Sequence, residues 1–251
     1  MKKYVSIIIV IVLFLNQTDC LASGEAAGGP ESFPKEGIPV LMYHSIGSKY
    51  QCSICVSEKQ FDEQMRWLYE NGYSSLKLEE FYEALRGGPL PEKPVLITFD
   101  DGFSDNYRVA WPILRRYGFR ATFFIVTGQV APYNIDWDEL RELTEAGNSI
   151  GSHTVDHRDL STLNTRDQER ELRQSKEALE KNLGIEVRAF CFPYGKYNKT
   201  TLSLLPAEGY TMGFTTESGK VRFGDDEYLL RRIHIWGGKP FSSFVEQVAY
   251  K

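Results

Sequence analysis

Cationic excess, cysteine pairs, long apolar runs and internal repeats are all scarce in this chain. Its 29 lysines and arginines are outnumbered by 34 aspartates and glutamates, a net charge of -5. No basic run interleaved with aromatics occurs, so nothing points to nucleic acid as a partner. No segment recurs at a fixed period. There are four cysteines. Cys52 and Cys55 make a lone C-x-x-C, and the lack of a second pair argues against a structural zinc site. A local disulfide in the loop after the first strand is the expected state, with a redox pair as the alternative. Cys191 sits in an apolar strand and reads as a buried free thiol.

The longest apolar run, Tyr4 to Leu15, is shorter than the about 20 residues of a membrane span. Lys2 and Lys3 precede it and Cys20-Leu21-Ala22 follows, which is the pattern of a secretory signal over 1–22 cleaved after Ala22. An uncleaved anchor is the alternative. Gln17, Thr18 and Asp19 fit poorly with lipid attachment at Cys20. Export implies the periplasm, the cell envelope or the medium, and peripheral association with the envelope is compatible with it. Residues 23–37 are rich in Gly, Ala, Glu and Pro and read as a flexible leader. The remaining stretch, 38–251, fits one domain with a sizeable core.

From Ile38 the pattern alternates strand and helix. Strands are expected at Ile38 to Tyr43, Pro94 to Asp100, Ala121 to Val126, Ser149 to Gly151, Val187 to Phe192, Tyr210 to Thr215 and Tyr228 to Ile235. Helices are expected at Ser57 to Glu70, Leu78 to Arg86, Ser104 to Tyr117, Asp136 to Ala146, Thr165 to Leu183, Lys199 to Ala207 and Phe241 to Ala249. Such alternation implies a parallel α/β sheet, open or closed into a barrel.

Pro94-Val95-Leu96-Ile97-Thr98-Phe99 reads as a strand buried on both faces. It ends in Asp100-Asp101-Gly102, a costly place for carboxylates unless a metal or a proton transfer uses them. A plain β-turn is the bland reading of Asp-Gly. Chemistry in parallel α/β folds gathers at the carboxyl ends of strands. All four histidines, His44, His153, His157 and His234, fall at or beside such ends. His153 and His157 stand four apart, which on one helical turn sets both imidazoles on one side, a zinc-chelating spacing. Coincidence is the bland reading of that pair. Two histidines and one carboxylate make a catalytic zinc set that leaves room for water and substrate.

Taken together, Thr98-Phe99-Asp100-Asp101-Gly102 and Ser152-His153-Thr154-Val155-Asp156-His157 resemble the first two motifs of the polysaccharide deacetylases, the NodB-homology family. Phe192-Pro193-Tyr194-Gly195 is similar to the third, Leu230-Arg231-Arg232-Ile233-His234 to the last, and Pro39 to His44 to the opening strand. The resemblance implies an irregular (β/α)7 barrel and metal-dependent removal of acetyl groups from amino sugars, so the expected function is N-deacetylation of an N-acetylglucosamine-containing polysaccharide. By position, Asp101, His153 and His157 would bind one divalent metal, zinc or a similar ion. Asp100 would be the general base, His234 the general acid, and the Tyr194 backbone N–H an oxyanion donor.

Two motifs depart from the family pattern. Cys191 stands where the third motif usually has an arginine that pairs with the base, and the Asp and Trp of the fourth have no clear match between Gly209 and Glu227. Both features are also loose in the deacetylases of poly-N-acetylglucosamine, which the chain resembles more than the chitin-oligosaccharide enzymes. Arg188, Arg231 and Arg232 are candidate substitutes for the missing cation, and strand parity favours Arg232, on the face of His234. Of the aromatics Tyr133, Trp137, Tyr194 and Trp236, the last two are the expected faces for sugar rings. An O-acetyl esterase and a catalytically silent sugar-binding barrel are the competing functions. A binder need not keep the full Asp100, Asp101, His153, His157 and His234 set.

Overall fold

The computed structural model describes residues 33–47, 52–131 and 134–250. The signal segment, Cys20, most of the leader and Tyr133 lie outside the described residues. Seven parallel strands close into a barrel: β1 (Val40–Tyr43), β5 (Pro94–Phe99), β6 (Thr122–Ile125), β7 (Ser149–Ser152), β8 (Ala189–Cys191), β9 (Met212–Ser218) and β10 (Leu230–His234). β1 seals the ring by pairing on both edges, Leu41 with Ile233 of β10 and Val40 to Tyr43 with Leu96 to Phe99 of β5. These are the seven strands expected from the apolar runs, and the closed alternative is the one adopted.

Helices α1 (Glu58–Glu70), α2 (Leu78–Leu85), α3 (Trp111–Arg116), α4 (Trp137–Glu145), α5 (Thr165–Leu183), α6 (Lys199–Ala207) and α7 (Phe241–Val248) are the remaining long elements. The expected helix from Ser104 to Tyr117 forms over residues 104–116, but its middle, Asn106–Ala110, winds as a π-helix. Trp111 N–H reaches back five residues to Asn106 O, a wide turn that precedes α3. Pro112, which has no N–H to give, stands at that junction. Three two-residue strands, β2 (Ser45–Ile46), β3 (Cys55–Val56) and β4 (Ser74–Ser75), are too short to show any period in the sequence. Among the described residues no helix is long and apolar enough to cross a membrane.

Alternation along the strands divides the core in two. Val40, Leu96, Phe124, Ala189, Cys191, Met212, Phe214 and Leu230 meet inside the barrel, with α2 residues Leu78, Phe81, Ala84 and Leu85 packed against them. Their neighbours Leu41, Tyr43, Val95, Ile97, Phe99, Phe123 and Phe190 point outward under the helices. Each large apolar side chain buried this way contributes about 1.5–3 kcal/mol. The interior is apolar at this level, and it turns polar towards the carboxyl ends of the strands.

Candidate active site

The turn to polarity follows from parity. Leu96 faces the barrel interior, so Thr98 and Asp100 do as well, and both are buried. A regular strand would send Asp101 outward. Instead Asp101 has φ 72° and Gly102 φ 74°, and the chain turns so that both carboxylates reach the rim. The aspartate itself shares the left-handed turn with the glycine. Four of the five described non-glycine residues with positive φ are Asp101, Thr154, His157 and Tyr194. Backbone strain of this kind collects at functional sites.

His153 and His157 meet without a helix. The segment after β7 is an irregular loop in which Thr154 has φ 71° and His157 φ 54°. His157 N–H donates to Thr154 Oγ1 at 2.9 Å, and Glu171 of α5 accepts from Val155 and Asp156 N–H at 3.0 and 2.9 Å. The helical turn assumed for this spacing is thus replaced by a looped turn that converges the same two rings, whose centroids are 4.8 Å apart.

Asp101 Oδ1 lies 3.4 Å from His153 Nε2 and 3.2 Å from His157 Nε2. Metal bonds of about 2.0–2.1 Å in a tetrahedron put neighbouring ligand atoms about 3.3 Å apart, so this trio has the spacing of a metal's ligands. His153 Nδ1 is 2.7 Å from Cys191 O. A carbonyl only accepts, so Nδ1 carries a proton, which leaves Nε2 as the atom that would face an ion in the trio, and the carbonyl is the usual outer support of a ligating imidazole. Burial alone would raise the Asp101 carboxyl, but hydrogen bonds to His153 and His157 hold it well below the usual carboxylate range. A second cluster, Asp100, His153 and Cys191, is also close-set, but its carboxylate is committed elsewhere.

That commitment is to Arg232. Its Nη1 and Nη2 donate to Asp100 Oδ1 and Oδ2, both at 2.7 Å, and Nη2 also reaches Cys191 Sγ at 3.1 Å. The guanidinium is fully buried, with Nε on Thr215 O at 2.9 Å. Burial raises the Asp100 carboxyl, and the charge and two hydrogen bonds of Arg232 more than reverse this, to about 2. Burial pushes the Cys191 thiol up, so it stays protonated. The cation missing from the third motif therefore arrives from β10, at the position parity favoured.

Two more imidazoles face this pair. His44 Nε2 is 4.0 Å from Asp100 Oδ2. His234 stacks on His44 at 5.3 Å and on Trp236 at 3.6 Å between ring centroids. Burial, then the charges of His44 and Arg232, lower His234 to about 4. Burial also lowers His44, against the pull of Asp100. The unfolded chain, with its histidine at 6.5, binds the proton first, so the contribution of neutral His234 is present above pH 6.5 and lost as pH falls through about 4. The melting temperature should fall across that window. His234→Phe, which keeps a ring in the stack, should flatten the fall; an equally steep fall in this variant would rule the effect out.

Tyr194, in a tight turn with φ 57°, is 61 % exposed and packs edge-on to His157 at 4.6 Å. Trp236 is 40 % exposed. The sequence reading gave His44 no role beyond its strand-end position, and it missed the supports altogether. Asp105 accepts from Ser45 Oγ at 2.6 Å and Ile46 N–H at 3.0 Å, and Asn106 Nδ2 holds His44 O at 2.6 Å. The only local signal was the polar run after Gly102. Trp137 opens α4 and packs partly buried against the outer core.

Known proteins resemble this chain in sequence and fold. A family model described as polysaccharide deacetylase matches residues 87–213. YxkH, a candidate polysaccharide deacetylase of Bacillus subtilis (strain 168), is 36% identical over 216 residues, covering 84% of this chain and 77% of its own. The poly-beta-1,6-N-acetyl-D-glucosamine N-deacetylase of Staphylococcus aureus (strain MRSA252) is 31% identical over 210 residues, covering 78% and 72%. The Streptococcus pyogenes deacetylase PplD in complex with acetate superimposes with a TM-score of 0.81 at 32% identity, over 85% of this chain and 99% of that one. The chain belongs to the polysaccharide deacetylase family.

Proposed function

We propose that the protein is an exported, metal-dependent N-deacetylase that acts on an N-acetylglucosamine-containing polysaccharide and releases acetate and a free amine. The observation that carries this reading is the Asp101, His153 and His157 trio beside an Asp100 clamped by Arg232. That trio would hold one divalent ion, zinc or a similar borderline ion by its nitrogen and oxygen donors. When bound, such an ion makes a nucleophile of water at neutral pH and polarises the amide carbonyl.

The chain's own groups do the rest. Asp100, ionised and fixed by Arg232, takes the proton of the attacking water. The Tyr194 backbone N–H steadies the developing oxyanion. The stacked His44 and His234 are neutral at rest and repel a second charge, so the pair takes up at most one proton during turnover, and His234 passes it to the departing amine. Trp236 and Tyr194 offer exposed rings to sugar faces. The poly-beta-1,6-N-acetyl-D-glucosamine named for the Staphylococcus aureus relative supports the choice of polymer.

Acetate and free amine, measured separately on a panel of acetylated glycans, test the reading. Equal amounts of both on N-acetylglucosamine polymers are expected. Acetate without amine would mean an O-acetyl esterase, and neither product a binding barrel. His234→Ala should keep its metal and lose about 10²–10⁴-fold in kcat, with the alkaline limb of the rate profile weakened. A wild-type kcat for His234→Ala would remove it from the mechanism.

A further inference from the structure

The Cys52–Cys55 pair has no part in the chemistry above, yet it touches both segments that carry the stacked imidazoles. The two cysteines are joined by a disulfide, and Cys55 N–H donates to Cys52 O at 3.1 Å within the same turn. On one side the turn runs into β3, which pairs with β2, Ser45 opposite Cys55 and Ile46 opposite Val56. β2 begins directly after His44. On the other side Gly237, directly after Trp236, donates its N–H to Ser53 O at 2.8 Å.

That second seat admits only glycine. A Cβ on Gly237 would lie 2.0 Å from Cys55 O and 3.3 Å from Cys52 O, both backbone atoms that cannot swing away. Gln60 of α1 closes the same loop, its Nε2 on Lys239 O at 3.2 Å and its Oε1 accepting from Gly238 N–H at 3.4 Å. The three rings His44, His234 and Trp236 are therefore bracketed by one covalently closed turn, which grips the chain just past the first ring and just past the last. Among the described residues, the hydrogen bonds and ion pairs of Asp101, His153 and His157 come from β6, β8, Thr154 and each other, none from this turn.

We infer that the disulfide turn Cys52–Cys55 is a positioning element that holds the His44–His234–Trp236 stack in register. Its effect on catalysis rests on the reading of that stack as the proton donor. A disulfide spanning so few residues constrains the unfolded chain little, so its consequence is local. Loss of the disulfide, or of the glycine seat with the disulfide intact, should loosen the same three rings.

Gly237→Ala and the double variant Cys52→Ser, Cys55→Ser are compared as full-length proteins, with wild type reduced by dithiothreitol as a third arm. The readouts are metal content, Trp236 fluorescence referenced to Trp236→Phe, and acetate release from a β-1,6-linked N-acetylglucosamine oligomer. All three arms should keep the metal, change Trp236 emission in the same direction, and lose about 10–100-fold in kcat, the scale of a misplacement of about 1 Å. Wild-type emission with wild-type kcat in Gly237→Ala and in the cysteine variant would overturn the inference. Altered emission with unchanged kcat would uphold the positioning role and remove the stack from proton transfer instead. Loss of metal in all three arms would also overturn it, since the turn would then act on the whole fold.

Discussion

Asp101→Asn should strip the protein of its metal, whereas Asp100→Asn should keep the metal and lose turnover. The two side chains are neighbours in sequence but point to different partners. Asp101 Oδ1 faces His153 and His157 Nε2 at 3.4 and 3.2 Å, and an amide there offers an ion a neutral oxygen or a donor nitrogen in place of a carboxylate. Removing such a ligand should cost more than the about 10–100-fold in affinity seen for supporting residues behind a metal site. Asp100 is held away from that trio by both nitrogens of Arg232 at 2.7 Å. Asn at 100 keeps one acceptor for the guanidinium but cannot take a proton, so kcat should fall by about 10²–10⁴-fold. Metal content by mass spectrometry and kcat, measured on both variants side by side, decide the matter. Equal loss of metal from both would end the division of labour, and full activity in wild type after dialysis against a strong chelator would end the metal requirement.

Much of this was legible because it is local. The buried run from Pro94 to Phe99 and its abrupt carboxylates mark a strand end, and parity alone places Asp100 inside the barrel. Arg232 was reachable the same way, two residues before His234 on an alternating strand. What could not be read is what depends on contacts distant in sequence. The loop that converges His153 and His157 takes its shape from Glu171, and nothing local shows that a carboxylate 15 and 16 residues away caps Asp156 and Val155. The register of β10 against β9 shifts between Leu230 and Arg232, a break the period of neither strand reports. His44 acquires meaning only when β1 and β10 pair and bring it against His234. Cysteine at 191 looked like a lost arginine; in the fold it leaves space that the Arg232 side chain fills.

Arg232→Ala should cost about 3–5 kcal/mol of stability at neutral pH, the range for removing one partner of a buried ion pair, and the cost should shrink in acid. In the wild type, Asp100 has its carboxyl lowered from 3.8 to about 2. A carboxyl lowered on folding contributes stability that is present above its unfolded value and is lost as pH falls through about 2. Without the guanidinium, burial is the largest influence left on Asp100 and drives the carboxyl up against the smaller pulls of His153 and His44. The sign then reverses: the variant carries an unpaired buried charge at pH 7 and sheds it by taking up a proton as the pH drops. Denaturant unfolding of chelated wild-type and variant protein at pH 7 and pH 4 should give a smaller difference at the lower pH. The acidic limb of the rate profile should move to higher pH for the same reason, because the base is lost to protonation earlier. Arg232→Lys separates charge from geometry: it returns a cation without the planar fork that meets both carboxylate oxygens, so it should restore stability in part and the acidic limb incompletely. Arg232→Ala with normal turnover, an unmoved acidic limb and the same stability deficit at both pH values would mean that the guanidinium fills space beside Asp100 without setting its charge.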